Sequence, residues 1–280
     1  MLIHQLLKVY YASPAYTGLS LSSRATYTAR LNNCLHLFPA KHIDEYTAED
    51  ADKLYADLKA EFGVHKAVSV CVIIRRVWNY AVRYRLTITN PFAKMGLDKL
   101  DSREQIWTPD NLEAFYNGCK EYKLTSLITL AQLCYYLAQR PGDMRMLKWS
   151  DYHDHSIRFV QQKTGRRMVS HVDPELQEYL ATLPRNHEYI VVSERTGKPY
   201  TKFDYSKLAK QVMEHVGLHG LQIRDLRRTG VTEAAEAGLS DSELLALNGN
   251  TSRSTLNTYQ VRTEKLNQSA TAKRFGREVA

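Results

Sequence analysis

The 280 residues include only four cysteines, Cys34, Cys71, Cys119 and Cys134, set far apart and without a Cys-x-x-Cys pair. That spacing offers neither a disulfide framework nor a zinc ligand set, and it fits a reducing compartment. Long apolar runs are missing as well, so no stretch reaches the length of a membrane span. The opening MLIHQLLKVYYASP has no basic region ahead of its apolar residues, unlike a secretory signal. Internal repeats and low-complexity tracts are absent, which argues against a solenoid or a disordered array. The expectation from these absences is a soluble protein of the cytoplasm, with no membrane attachment, no metal and no cofactor.

What is present points to an anionic partner. Lys and Arg number 38 against 30 Asp and Glu, giving a formal charge of +8 and a pI near 9.2. A basic balance of this size favours nucleic acid without the extreme charge of a basic tail. The length suits two domains of ordinary size, and 44% hydrophobic residues are enough to fill a core in each.

Periodicity predicts helices through most of the first hundred residues. From Ser22 to about Lys94 the pattern is helical, with Tyr27, Leu31, Leu35 and Phe38 recurring at spacings of three and four as on one buried face. Thr47 opens TAED, a capping-box start, and Ala51, Leu54, Tyr55 and Leu58 form the stripe of the helix that follows. A third helix runs from about Lys66 to Arg85 and stops before Asn90-Pro91. Residues 1–100 therefore read as a helical bundle. The polar stretch 101–106 reads as a linker, because Thr108-Pro109 then supplies a cap and a first-turn proline for a new helix.

The second part, 107–280, is expected to be mixed. Helices are predicted near 108–121 and 124–138, followed by β-like runs at Ser156–Gln161 and Arg167–Val172 that form a hairpin through Lys163-Thr164-Gly165. Helical starts return at Asp173-Pro174, Thr201 and Ser240. The sparse apolar face of the tail after Thr263 suggests a helix that docks elsewhere, with a neighbouring subunit as one candidate. The fold class is thus mainly α: a helical N-terminal bundle and a mixed α+β second domain with a small antiparallel sheet.

Four short segments could carry chemistry. Arg140, in Gln-Arg-Pro-Gly-Asp, sits where an apolar helix gives way to a turn, with Asp143 three residues on to orient it; a local ion pair is the plainer reading. Lys163 stands at the hairpin tip beside Arg166 and Arg167, where it could enter a DNA groove or give a proton to a leaving oxygen, or simply be solvated. Arg224 and Arg227 lie three apart, so one helical face would present both to an anion; a solvated basic face is the alternative. Tyr259 follows Asn250 by nine residues but is one of 18 tyrosines, so alone it means little.

Taken together and in this order, the four segments resemble the catalytic domain of tyrosine recombinases. That family has an Arg before an acidic residue and an L-x-W-x-D stretch, matched by Arg140, Asp143, Leu147, Trp149 and Asp151. A hairpin lysine follows, matched by Lys163, then a His-x-Leu-Arg-His-Thr motif that aligns with Arg224 to Thr229 and makes Arg227 the second phosphate-binding arginine. A Leu-Gly-His segment nine residues before the nucleophilic tyrosine is matched by Gly249, Asn250 and Tyr259. The first hundred residues are similar to the family's core-binding domain around Val77 to Val82 and Asn90-Pro91-Phe92.

The resemblance implies a site-specific recombinase or integrase of a mobile element, such as a phage. Tyr259 would form a 3′-phosphotyrosyl bond, Arg140, Arg224, Arg227 and Asn250 would hold the phosphate, and Lys163 would protonate the leaving 5′ oxygen. Asp143 and Asp225 would position arginines. Lys66, Arg75, Arg76, Arg83, Arg166 and Arg167 are the candidates for further contacts to double-stranded DNA, which the two domains would clamp. A monomer in solution would assemble as a homotetramer on two DNA sites, with an accessory DNA-bending protein as an optional partner. Two places depart from the family: Arg224 and Asn250 stand where histidines are usual, and neither has a lone pair suited to take a proton. Rival readings are a catalytically silent DNA-binding relative, a DNA-relaxing topoisomerase of the same chemistry, and a generic helical regulator.

Overall fold

The computed structural model describes residues 1–250, 252–256, 261 and 263–274. The chain divides into two compact units, Met1–Asp101 and Ser102–Ala280, each with its own core.

The first unit is helical. Its described elements are α1 (Ile3–Tyr11), α2 (Pro14–Thr17), α3 (Leu21–Asn32), α4 (Ala48–Phe62) and α5 (Val64–Arg83). Helix α5 is the central one: α1, α3 and α4 all pack on it, and it buries Val70, Ile74, Val77 and Trp78 among others. Trp78 is fully enclosed between Tyr46 and Phe92, with ring centroids 5.2 and 4.8 Å away. Helix α1 has no counterpart in the expected elements, although Ile3, Leu6, Leu7 and Tyr10 make a buried face at helical spacing.

The expected run through Phe38 is broken. Helix α3 ends at Asn32, Leu35–Leu37 is a single 3₁₀ turn, and Phe38 is extended. Two successive asparagines compete with helical backbone bonds, and Pro39 drives the residue before it out of the α region. Leu31 and Phe38 are buried all the same. The helix expected over 66–85 begins two residues earlier, at Val64, and ends at Arg83; Arg85 has φ +57° and closes it.

The second unit contains α6 (Pro109–Glu121), α7 (Thr125–Tyr136), α8 (Pro141–Met144), β1 (Tyr152–His153), β2 (Ser156–Val160), β3 (Arg167–His171), α9 (Pro174–Thr182), α10 (Lys202–His215), α11 (Leu226–Glu236), α12 (Asp241–Asn248), α13 (Arg253–Leu256) and α14 (Glu264–Arg274). The strands form an antiparallel sheet in the order β1-β2-β3, so the expected hairpin is present with a short third strand beside it. Helix α7, buried on most of its surface, is the core element against which α6, α9 and α11 lie. Gly230 lets α11 approach α7 closely, because a Cβ there would stand 2.7 Å from the Tyr135 carbonyl oxygen.

Helix starts follow the capping signals. Thr108, Asp173, Thr201 and Ser240 each accept a backbone N–H from the first turn of the helix they precede. The expected tail helix is α14, which in this single chain packs on α11, with Leu266 against the Val231–Ala235–Leu244 cluster and Thr263 donating to Glu236. All four cysteines are buried and free; burial pushes the Cys34 thiol up to about 11 and those of Cys71 and Cys119 to about 12. Among the described residues, no helix is long and apolar enough to cross a membrane, and no group of His, Cys, Asp and Glu could hold a metal.

Asp50 at the start of α4 gives a pH prediction for the first unit. The Lys41 ammonium, and then the Thr47 backbone N–H, hold its carboxyl down to about 2. A carboxyl depressed in the folded state adds stability that is complete above its unfolded value, near 4, and is lost as pH falls towards about 2. Asp50→Asn should lower the urea midpoint of the first unit at neutral pH, and the gap from wild type should close between roughly pH 4 and pH 2.

Candidate active site

Arg227 lies in the first turn of α11 and is 1% exposed. A buried guanidinium demands acceptors, and two segments supply them. Its Nη1 donates to Gln139 Oε1 at 3.0 Å, and its Nη2 donates to the Asn248 carbonyl at 2.7 Å and to Asn250 Oδ1 at 3.2 Å. Gln139 is itself fully buried, and its Nε2 donates to the Leu247 carbonyl at 2.8 Å.

The hairpin is tied into the same cradle. Gln161, also fully buried, donates from Nε2 to Gln139 Oε1 at 2.9 Å and to the Asn248 carbonyl at 3.0 Å, while its Oε1 accepts the Thr164 hydroxyl. Arg166 donates from Nη1 to the Asn250 carbonyl at 2.8 Å. Between the two asparagines, Gly249 has φ +71° and lies where a Cβ would meet Gln161 Nε2 and Met168 Sδ, each at 2.6 Å. Only glycine satisfies both the left-handed backbone and the contact with the hairpin.

Arg140 follows Gln139 directly in the chain. Ala138, with φ +50°, reverses the chain after α7, and Arg140 then caps α8 in an extended conformation. Its Nη1 lies 4.0 Å from Asp143 Oδ2, and Asp143 Oδ1 accepts the Gln162 backbone N–H at 2.9 Å. Asp143 thus links the arginine to the hairpin. Arg140 Nη1, Asn248 Nδ2 and Asn250 Nδ2 are buried donors with no hydrogen-bond partner among the described residues. Native structures seldom leave such groups unused without a ligand or water to take them.

The other candidate residues are placed less alike. Lys163 is exposed in the β2–β3 turn, where Gly165 has φ +68°. Arg224 and Arg227 do not share one helical face as expected: Ile223–Asp225 is a 3₁₀ turn and α11 starts at Leu226. Arg227 is consequently sunk in the cradle, while Arg224 is exposed on the wall of a cavity of about 460 Å³ that Lys202 and Lys210 also line. Asp225 holds Arg103 and Arg228 rather than the two flanking candidates. Tyr259 lies outside the described residues.

The outlying basic candidates vary in how far they are committed. Arg75 uses its Nε on the Phe92 carbonyl at 2.7 Å, and Arg76 donates to the Tyr27 hydroxyl at 2.6 Å. The Lys66 ammonium sits over the Phe62 ring, 3.3 Å from its centroid. Arg83 and Arg167 are exposed.

Periodicity and motif spacing do not single out Gln139, Gln161, Asn248 or Arg103 as site residues. A buried glutamine has no periodic signature, since its importance comes from partners distant in the chain. The available hint was position: Gln139 precedes Arg140 directly, and Gln161 closes a strand two residues before Lys163.

A family profile described as the phage integrase family matches residues 105–265. The integrase of Mycobacterium phage D29 is 22% identical over 214 residues, covering 68% of this chain and 56% of its own length; the chain thus spans little more than half of that relative. A lambda integrase (75–356) dimer bound to a COC′ core site shares the fold with a TM-score of 0.82 at 20% identity, over 93% of this chain and 96% of the other. A lambda integrase tetramer bound to a Holliday junction gives a TM-score of 0.81 at 19% identity, over 93% and 78%.

The cradle predicts a large cost for removing its shared acceptor. Gln139→Leu keeps the side chain's size but strips an acceptor from a buried charge. It should destabilise the second unit by about 3 kcal/mol, measured by urea unfolding.

Proposed function

The chain belongs to the phage integrase family, and from that premise we propose that it cuts and rejoins duplex DNA at specific sites through a covalent phosphotyrosyl intermediate. The observation that carries this reading is the buried Arg227 cradle, together with Arg140 Nη1 and Asn250 Nδ2, two buried donors without a hydrogen-bond partner among the described residues. Donors fixed before a substrate arrives stabilise charge that develops on a phosphate without reorganising at the moment of reaction.

In the proposed step the Tyr259 oxygen attacks the scissile phosphorus, the bond to the 5′ oxygen breaks, and a 3′-phosphotyrosyl ester forms. Lys163, on an exposed turn, gives its proton to the departing 5′ oxygen. Arg140 and Arg227 balance the non-bridging oxygens, and Asn250 adds a neutral donor. Arg224 brings charge but no lone pair, so the phenol's proton must leave by another group. The ester conserves the energy of the broken bond, and a 5′ hydroxyl from a second duplex reverses the step without ATP.

The partner in this reading is double-stranded DNA, with a homotetramer working on two sites; the lambda integrase tetramer on a Holliday junction supports that assembly. Arg83 and Arg167 are exposed and suited to phosphate contacts, whereas Arg75 is partly spent on the Phe92 carbonyl.

The test is incubation with a nicked suicide duplex carrying the cognate site, followed by denaturing electrophoresis. Wild type should give a covalent protein–DNA band and Tyr259→Phe none. A band that survives Tyr259→Phe would remove this tyrosine from the role. No band from wild type would leave a DNA-binding relative without catalysis, and relaxation of supercoils without two-site recombination would mark a topoisomerase.

Lys163 has its own test. Lys163→Ala should cleave an ordinary duplex about 100-fold or more slowly. A duplex with sulfur in place of the 5′ bridging oxygen should be cleaved nearly as fast by this variant as by wild type, because a thiolate leaves without a proton.

A further inference from the structure

We propose that Arg103 is a positioning residue for the candidate phosphate-binding arginines, strapping with Trp107 the segment 222–229 that carries Arg224 and Arg227. The proposal rests on the function just described and adds a residue that lies outside the four family motifs.

Arg103 makes a two-pronged contact with Asp225: Nε to Oδ1 at 3.1 Å and Nη2 to Oδ2 at 2.6 Å, with Nη2 also donating to the Gly220 carbonyl at 2.6 Å. Asp225 is 1% exposed. Its oxygens further accept the Gln222 backbone N–H at 2.9 Å and Arg228 Nη1 at 3.3 Å. Burying a carboxylate so fully is costly unless such donors surround it.

Trp107 provides the second anchor, four residues further along. Its backbone N–H donates to Thr229 Oγ1 at 2.9 Å, and its indole Nε1 donates to the Gln222 carbonyl at 3.2 Å. Thr229 Oγ1 in turn donates to the Asp225 carbonyl at 3.2 Å. The indole is buried against Phe115. Both ends of segment 222–229 are therefore fastened to the chain between 103 and 107.

The fastening matters because of what it holds. Ile223–Asp225 is a single 3₁₀ turn that runs directly into α11, and such turns have weaker hydrogen-bond geometry than α-helix. The direction of the Arg224 side chain, and the depth at which Arg227 enters its cradle, follow from that junction. A misplacement of about 1 Å at a reacting centre can cost about 100-fold in rate. Arginine suits the task because its planar fork matches both carboxylate oxygens at once, which an ammonium cannot do.

Arg103 also lines the cavity that Arg224 borders, so the alternative is that it serves as one more positive charge facing DNA. The two roles separate in single-turnover cleavage measured over a range of DNA concentrations. Positioning through the fork predicts that Arg103→Ala and Arg103→Lys both lose about tenfold or more in maximal rate, with the half-saturating DNA concentration within about twofold of wild type. Restoration of the rate by lysine, a loss confined to the half-saturating concentration, or a maximal rate within twofold of wild type in both variants would overturn the proposal.

Amide hydrogen exchange without DNA reads the strap independently of catalysis. Residues 222–229 should exchange about tenfold faster in Arg103→Lys, while α9 keeps its protection. Unchanged protection at 222–229 would also overturn the proposal. Absence of a covalent band from wild type would count against the proposed function alone, because the exchange measurement still decides whether Arg103 fixes this segment.

Discussion

The second unit is organised around one buried positive charge. Removing the Arg227 guanidinium from water is costly unless each of its faces meets an acceptor. The acceptors come from Gln139, Asn248 and Asn250, which belong to the approach to α8, the last residue of α12 and the turn that follows it. Gln161 joins the hairpin to the same atoms. A single charge thereby dictates that three stretches more than twenty residues apart in sequence meet at one point, and the left-handed Gly249 is what allows the closest of these approaches.

This construction also explains how a site can be rigid and still receptive. The acceptors that Gln139, Asn248 and Asn250 offer Arg227 are neutral carbonyl and amide oxygens, so these bonds hold the guanidinium in place without cancelling its charge. Arg140 is treated similarly: its Nη1 stands 4.0 Å from Asp143 Oδ2, close enough to be oriented and too far for a full hydrogen bond. Asp225, by contrast, is saturated by Arg103, Arg228 and the Gln222 backbone. One carboxylate orients from a distance and the other serves as a clamp, a distinction set by which donors the fold brings to each.

The two residues that depart from the family pattern fare differently. Asn250 is buried and works within the cradle, accepting from Arg227 on its side-chain oxygen and from Arg166 on its backbone carbonyl. Arg224 stays at the surface on a 3₁₀ turn. Neither can act as a base at neutral pH. In the proposed chemistry the proton of Tyr259 therefore leaves by a route other than the two positions where a histidine is customary, while charge stabilisation rests on groups that are always protonated.

By itself the sequence determined the mainly α class, the family, the capped helix starts and the hairpin, because each is written in local periodicity, turn residues or motif spacing. Thr108-Pro109, Asp173-Pro174 and Ser240 act within one turn of their own helices, so their neighbours suffice to read them. The helix break after Asn32 and the 3₁₀ turn at Ile223–Asp225 were harder to read, since apolar spacing continued across both. Only the tertiary structure decided the rest: that Gln139 and Gln161 are cradle residues, that Arg224 and Arg227 part company, that α14 lies on its own α11, and that Arg103 belongs to the clamp on Asp225. Each of these depends on a partner distant in the chain, and a hydrogen bond across such a distance leaves no period in the sequence.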